Sequence, residues 1–345
     1  MALTETDAAL GAPWVRPLHG RFESLVVESE ILADNPLGDP CRRPLYVYRA
    51  PGAEPGAPII FMLQGYSGQL DTWVARRAFE PNLVERLDAM FAAREAAPAF
   101  VVFVDAWTSR GGSQFLNSAA NGRYLDYICD EIVPFVEARH GSSCGRAVLG
   151  GSSGGYGAMV LPMLRPDAFH ALGSVAGDAL FECAYARNFP VVARRLRDSF
   201  GGSYQRCLVE LERRDTFEWG RFGEALEMYA YACAYSPDPD RPGAALLPFE
   251  LESGRLVPEV WAQWLEKDPV RMAPRHGEAL RSLRAVHLYA GLADDYYLDL
   301  AAQAFGAELD ALEVRHTLDL YPGTHGSIRV QYPRAVAALT NALAA

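Results

Sequence analysis

The stretch Arg146-Ala-Val-Leu-Gly-Gly-Ser-Ser-Gly-Gly-Tyr-Gly-Ala-Met159 decides the fold. It opens with a short apolar run, Ala147 to Leu149, and passes through six small residues, Gly150 to Gly155. Tyr156 to Leu164 then has the composition of a helix that stops near Pro166. This order reads as strand, sharp turn, helix. A serine at the tip of so tight a turn has its hydroxyl lifted clear of the sheet, and only small neighbours allow the bend. A glycine-rich βα turn that cradles a phosphate has a similar composition, so the rest of the chain has to separate the two.

The pattern G-x-S-x-G occurs here in two overlapping frames, one centred on Ser152 and one on Ser153. Sterics alone do not choose between them. The wider run Gly-Gly-Ser-Ser-Gly-Gly-Tyr-Gly-Ala resembles the G-x-S-x-G-G-x-G-A nucleophile elbow of the putative esterase family of α/β-hydrolases. That family includes S-formylglutathione hydrolases, feruloyl esterases and mycolyltransferases. In its frame the nucleophile is Ser152. Two further stretches carry the resemblance: Glu28 through Asn35-Pro-Leu-Gly-Asp-Pro40 to Tyr48, and Gly111-Gly-Ser-Gln-Phe-Leu-Asn-Ser118 to Tyr124. It spans roughly 20–177 and 285–345 and leaves out the segment between.

The remainder of the chain reads outward from the elbow. Phe22 to Glu30 and Pro44 to Arg49 alternate as strands do. Ile59–Leu63 and Phe100–Val104 are continuous apolar runs, as in strands buried on both faces. Phe79, Leu83, Leu87, Met90 and Phe91 recur at helical spacing, as do Leu125, Ile128, Cys129, Ile132 and Val136, with a bend expected near Pro134. Further strands are expected at His170–Ala176, Ala285–Tyr289 and Val314–Tyr321, with helices near Tyr297–Leu309 and from Tyr332. Strands alternating with helical patterns imply parallel βαβ units. The expected architecture is a single α/β-hydrolase domain over 1–345, with a mostly parallel central sheet flanked by helices. From 178 to 284 the alternation fails. Helices are expected there at Ala186–Phe200, Phe217–Tyr235 and Val257–Lys267, rich in aromatic residues. A structureless connection of that length is improbable inside a compact domain. The segment is therefore expected to form a helical cap over the site, with packing of its own small core as the bland alternative.

The hydrolase order is serine, acid, histidine. Val286-His-Leu-Tyr-Ala-Gly-Leu-Ala-Asp294-Asp295 offers an acid on the turn after a late strand. Gly291 three residues before Asp294 matches the family's G-x-x-D turn, which gives Asp294 the acid position. Asp295, one residue off frame, and Asp178, just after the preceding strand, are the alternatives. Tyr321-Pro-Gly-Thr-His325 resembles the family's P-G-x-H and supplies the histidine. His287, inside a strand, reads as a core residue. The resemblance also implies an oxyanion hole built from the backbone N–H groups of Ser153 and Tyr66. In Leu63-Gln64-Gly65-Tyr66, Gln64 replaces the family's usual histidine.

Composition bounds the function. The formal net charge of −11 argues against nucleic acid and against an anionic membrane surface as partners. No apolar run approaches the roughly 20 residues that span a bilayer. Residues 1–20 read as a loose arm, Met1 to Pro17 lacks the pattern of a signal peptide, and the six cysteines are scattered without C-x-x-C spacing. A cytoplasmic protein with reduced thiols is expected, and a homo-oligomer is left open. The resemblance implies hydrolysis of a small-molecule carboxylic ester through an acyl-enzyme, with no cofactor and no metal. A thioesterase of the S-formylglutathione hydrolase type, an acyltransferase of the mycolyltransferase type and a non-catalytic binding module are the competing readings.

Overall fold

The computed structural model describes residues 14–345. The expected N-terminal arm lies largely outside them, over 1–13, and residues 14–20 carry no helix or strand. The strands in chain order are β1 (Arg21–Glu28), β2 (Arg42–Arg49), β3 (Ile59–Leu63), β4 (Phe100–Val104), β5 (Asn117–Ser118), β6 (Gly122–Arg123), β7 (Arg146–Ser152), β8 (Ala171–Gly177), β9 (Ala285–Gly291) and β10 (Thr317–Tyr321). β5 and β6 form a separate two-stranded ribbon, which sequence reading did not foresee. The other eight make one sheet in the order β1-β2-β4-β3-β7-β8-β9-β10. β1 and β2 run antiparallel at one edge, and all pairs from β4 to β10 are parallel.

Every residue of β3, β4 and β8 is buried, as a sheet covered on both faces requires. The elbow makes the two faces visible. A Cβ at Gly151 would lie 2.5 Å from Tyr332 of the helix Ile328–Ala344, whereas a Cβ at Gly150 would run into Gly154 of the helix Ser153–Leu164. The two glycines thus sit back to back between helices on opposite faces. This is the α/β-hydrolase architecture expected from the sequence. Strand order reverses between β3 and β7, so the loops after these two strands diverge and leave a crevice at the carboxyl end of the sheet, where ligands of open α/β sheets bind.

Between β8 and β9 the chain runs through the helices Phe181–Ala184, Phe189–Phe200, Tyr204–Glu212, Trp219–Tyr235, Pro258–Leu265, Pro269–Met272 and Gly277–Arg281. Trp264 is fully buried at their centre, with ring contacts to Tyr185, Phe189 and Tyr235. Its indole N–H donates to Ser236 Oγ at 2.8 Å. The buried Asp268 carboxylate accepts from the amides of Leu180 and Phe181 at 3.0 and 3.1 Å. The end of the insertion is thereby tied to its beginning. Tyr156, on the helix that follows the elbow, donates to the Lys267 carbonyl at 3.1 Å and anchors the insertion to the sheet domain.

Some expectations need correction. Phe79 is fully exposed and lies outside the helix, which begins at Leu83 because Asn82 and Glu85 close a capping box ahead of it. Helix Tyr204–Glu212 was not foreseen, although Ser203 caps it by accepting from the Arg206 amide. At Pro134, which has no N–H to donate, the preceding turn Tyr127–Ile132 is π-helical and leads straight into Val133–His140. His287 is only partly buried, and its Nδ1 lies 2.7 Å from Thr317 Oγ1 on β10.

The join between elbow helix and sheet leaves no spare volume. A Cβ at Gly155 would stand 2.6 Å from Gly177 Cα, a backbone atom that cannot swing aside. Gly155→Ala should therefore destabilise the fold by about 1–3 kcal/mol through overpacking. Calorimetry should record a lower unfolding midpoint, and an unchanged midpoint would contradict this packing.

Candidate active site

Ser152 ends β7 with φ 55° and ψ −127°. A residue with a Cβ rarely occupies this region, and holding one there costs on the order of 1–3 kcal/mol. The pairing of β7 with β8 also slips between Gly151 and Ser152. Both features turn the Ser152 side chain out of the sheet and into the crevice. The next residue, Ser153, opens the helix. Its side chain is almost fully buried and donates to Asp178 Oδ2 at 3.1 Å.

The loops after β9 and β10 bring two more groups to Ser152. They are laced together: the Leu292 amide donates to the Tyr321 carbonyl and the Ala293 amide to the Gly323 carbonyl, both at 2.9 Å. A Cβ at Gly291 would come within 2.5 Å of the Gly323 oxygen, so the approach of the two loops requires glycine there. Asp294 closes the first loop, and its buried Oδ1 accepts from the amides of Tyr296 at 2.9 Å and Leu298 at 3.4 Å. Its Oδ2 lies 2.9 Å from His325 Nδ1. His325 Nε2 lies 3.1 Å from Ser152 Oγ. A carboxylate only accepts, so Nδ1 carries the imidazole proton and Nε2 presents its lone pair to the serine. Burial pulls His325 down, but the hydrogen bond and charge of Asp294, with the fields of Asp178 and Glu227, outweigh it and raise its pKa above the ordinary 6.5.

Ser152, His325 and Asp294 thus come together. Asp178 and Asp295 do not join them. Asp178 is a buried residue lining the same cleft as Ser152, where it accepts from Ser153 at 3.1 Å and from Tyr185 at 2.9 Å instead of from His325; burial raises its pKa. Asp295 is exposed, and its carbonyl accepts from Arg187.

On the other side of Ser152 runs the loop after β3. A Cβ at Gly65 would lie 3.5 Å from both Ser152 Cβ and the Gly151 oxygen. Among the described residues the Tyr66 N–H has no acceptor, and the Ser153 N–H, at the first position of a helix, has none within that helix. Both amides therefore have free donors beside the serine. The Tyr66 ring is seated against Gly111, and its hydroxyl donates to the Arg110 carbonyl at 3.2 Å. Gln64, in place of the family's histidine, is buried, and its Nε2 is unpartnered among the described residues.

The insertion supplies side chains that sequence reading did not assign to the site. Tyr185, Asn188, Glu227 and Tyr231 line one cleft with Ser152, together with Tyr296 from the β9 loop. A signal for Glu227 was present: it is the lone acid in the otherwise apolar run Ala225-Leu-Glu-Met-Tyr-Ala-Tyr231. Among the described residues no group of three or more His, Cys, Asp or Glu side chains converges as metal ligands would.

Comparison with known proteins agrees with this architecture. No curated protein matches the chain. Among solved structures, a ferulic acid esterase superposes with a TM-score of 0.59 at 15% identity, covering 95% of this chain and 100% of its own. An S-formylglutathione hydrolase from Agrobacterium tumefaciens gives 0.57 at 15% identity, covering 96% and 98%. The Staphylococcus aureus fluorophosphonate-binding serine hydrolase FphF gives 0.55 at 16% identity, covering 93% and 99%. At such identities these likenesses speak for the fold. The sequence model of the family described as putative esterase matches residues 40–327, most of the chain. The chain belongs to the putative esterase family.

Proposed function

We propose that this protein is a serine hydrolase of carboxylic esters that works through an acyl-enzyme, with Ser152 as nucleophile, His325 as general base and acid, and Asp294 as the group that orients the imidazole. The observation that carries the reading is the continuous relay from Asp294 Oδ2 through His325 to Ser152 Oγ, at 2.9 and 3.1 Å. Ser152 Oγ attacks the acyl carbonyl while Nε2 takes its proton. The resulting imidazolium is stabilised by Asp294 and then protonates the leaving alcohol. Water repeats the sequence on the acyl-enzyme and releases the acid. The Tyr66 and Ser153 amides donate to the oxyanion, an effect worth about 3 kcal/mol per donor. Residues 178–284 act as a cap: Tyr185, Glu227 and Tyr231 extend from it over Ser152 and narrow the access of water to the intermediate.

Three outcomes are expected. Ser152→Ala should lower kcat on p-nitrophenyl acetate by roughly a million-fold, as loss of a triad serine does. Ser153→Ala, whose contribution is a backbone donor, should cost far less; the reverse ranking would exchange the two serines. Asp294→Asn should cost orders of magnitude by favouring the wrong tautomer, while Asp295→Asn stays near wild type. A crippled Asp295→Asn beside a normal Asp294→Asn would overturn the assignment.

The third concerns pH. Protonated His325 cannot accept the serine proton, so kcat/KM should climb as pH rises through the folded-state pKa of His325, which lies above 6.5. The residual activity of Asp294→Asn should show this acid limb displaced to lower pH. A wild-type limb below 6.5 would contradict the electrostatics around His325.

A further inference from the structure

An oxyanion donor is useful only if its N–H is aimed before the charge forms, and a misplacement of about an ångström can cost a hundredfold in rate. The Ser153 amide is held by the helix it opens. The Tyr66 amide lies in the loop after β3, outside any helix or strand. Within that loop the Gly68 amide donates to the Gly65 carbonyl at 3.1 Å and closes a turn, and Ser67 stands at φ 59°. A residue with a Cβ keeps such a conformation only when its surroundings hold it there.

The surroundings are the loop after β4. The Ser67 amide donates to the Gly111 carbonyl at 2.8 Å, and the Tyr66 hydroxyl donates to the Arg110 carbonyl at 3.2 Å. Between these two bonds the Tyr66 ring is seated on Gly111. A Cβ there would stand 2.6, 2.7 and 2.8 Å from Cε2, Cζ and Oη of Tyr66, and Gly111 itself has φ 101°. The ring therefore has its place only because residue 111 has no side chain. The Tyr231 ring of the insertion packs against it with centroids 5.9 Å apart. The β4 loop is fixed in turn. The Gly111 amide donates to the Thr108 carbonyl at 2.8 Å, and the Thr108 hydroxyl donates to the Gly112 carbonyl at 3.2 Å. At the base of the loop the Trp107 carbonyl accepts from the buried Arg43 guanidinium at 2.9 Å and from the Tyr124 hydroxyl at 3.0 Å.

We propose that Gly111 is a positioning residue for the oxyanion hole. It seats the Tyr66 side chain on one side of the Tyr66 Cα and holds the Ser67 amide on the other, and so aims the Tyr66 N–H at the carbonyl oxygen of an ester on Ser152. The proposal rests on the esterase reading and on Tyr66 as a donor within it.

The test is a double-mutant cycle read on p-nitrophenyl acetate, with Gly111→Ala, Tyr66→Ala and the two together. Gly111→Ala should lower kcat about a hundredfold with KM within about threefold, because the methyl group displaces the ring and the donor with it. The acid limb that His325 gives to kcat/KM should not move. Tyr66→Ala should lower kcat by at least about tenfold, since the loop loses its seat. With no ring to displace, adding Gly111→Ala to Tyr66→Ala should cost less than about threefold more. Gly112→Ala, whose Cβ would meet Tyr66 only at Cδ2, 3.7 Å away, should stay near wild type. Equal losses from Gly111→Ala in both backgrounds would assign the effect to backbone strain at residue 111 and overturn the proposal. So would a Tyr66→Ala protein with wild-type kcat, which is decisive even if Gly111→Ala does not fold. A wild type that cleaves no ester removes the esterase reading and the proposal together, whereas equal losses in a wild type that does cleave it remove the proposal alone.

Discussion

The backbone at Ser152, held at φ 55° and ψ −127°, is the constraint on which the site depends. Nothing local favours it, because serine has a Cβ and none of glycine's freedom. It persists because both flanks are fixed. β7 is clamped between β3 and β8, and the helix that follows is pressed against the sheet through glycines that leave no room for a methyl group. One consequence is positional: the side chain stands over the crevice at the point where strand order reverses. The other is electrostatic, since the Ser153 amide opens a helix with its donor free. The strain at one residue is thus offset by packing spread over two strands and a helix.

The second organising feature is the lacing of the β9 and β10 loops. A catalytic hydrogen bond loosened by an ångström loses most of its value, so two loops that carry separate members of a relay need a fixed spacing. Here backbone hydrogen bonds from Leu292 and Ala293 set it, and Gly291 permits the approach. Asp294 then needs no side chain other than His325 to hold it, since its second oxygen is occupied by two backbone amides. The insertion adds a different kind of contribution. Its aromatic core, centred on Trp264, is continuous with the sheet domain through Tyr156, which packs on Phe181 and Tyr235, and the helix Trp219–Tyr235 brings Glu227 and Tyr231 to the cleft at Ser152. In the proposed account the sheet domain supplies reactivity and the insertion supplies selectivity.

Much of this was legible in the sequence, for identifiable reasons. Strands such as Ile59–Leu63 and Phe100–Val104 are apolar runs because both faces are covered, and such runs survive any choice of neighbour. The loops of Asp294 and His325 were readable because Gly291-Leu-Ala-Asp294 and Pro322-Gly-Thr-His325, each after a strand, resemble the family's G-x-x-D and P-G-x-H turns. Asp178 was a reasonable alternative for the acid, since it also follows a strand. That its carboxylate serves Ser153 and Tyr185 depends on three-dimensional packing alone. The ribbon of β5 and β6 is too short for a periodic pattern, whereas helix Tyr204–Glu212 carries one, with Tyr204, Cys207, Leu208 and Leu211 at helical spacing, that the reading of the sequence passed over. Phe79 shared the helical spacing of its neighbours by coincidence, and the cap at Asn82 was the stronger signal. Glu227 stood out as one acid in an apolar run, but that signal acquires a place only once Tyr231 and Ser152 are found around it.

The central claim is that the hydroxyl standing over the crevice, Ser152 Oγ, is the reacting atom. The most direct measurement is to treat the protein with a fluorophosphonate and locate the adduct by fragmentation mass spectrometry of the peptide that contains Gly150 to Gly155. The account predicts a single stoichiometric adduct on Ser152, slowed at acid pH where His325 is protonated. An adduct on Ser153, or no adduct on this peptide at all, would contradict it.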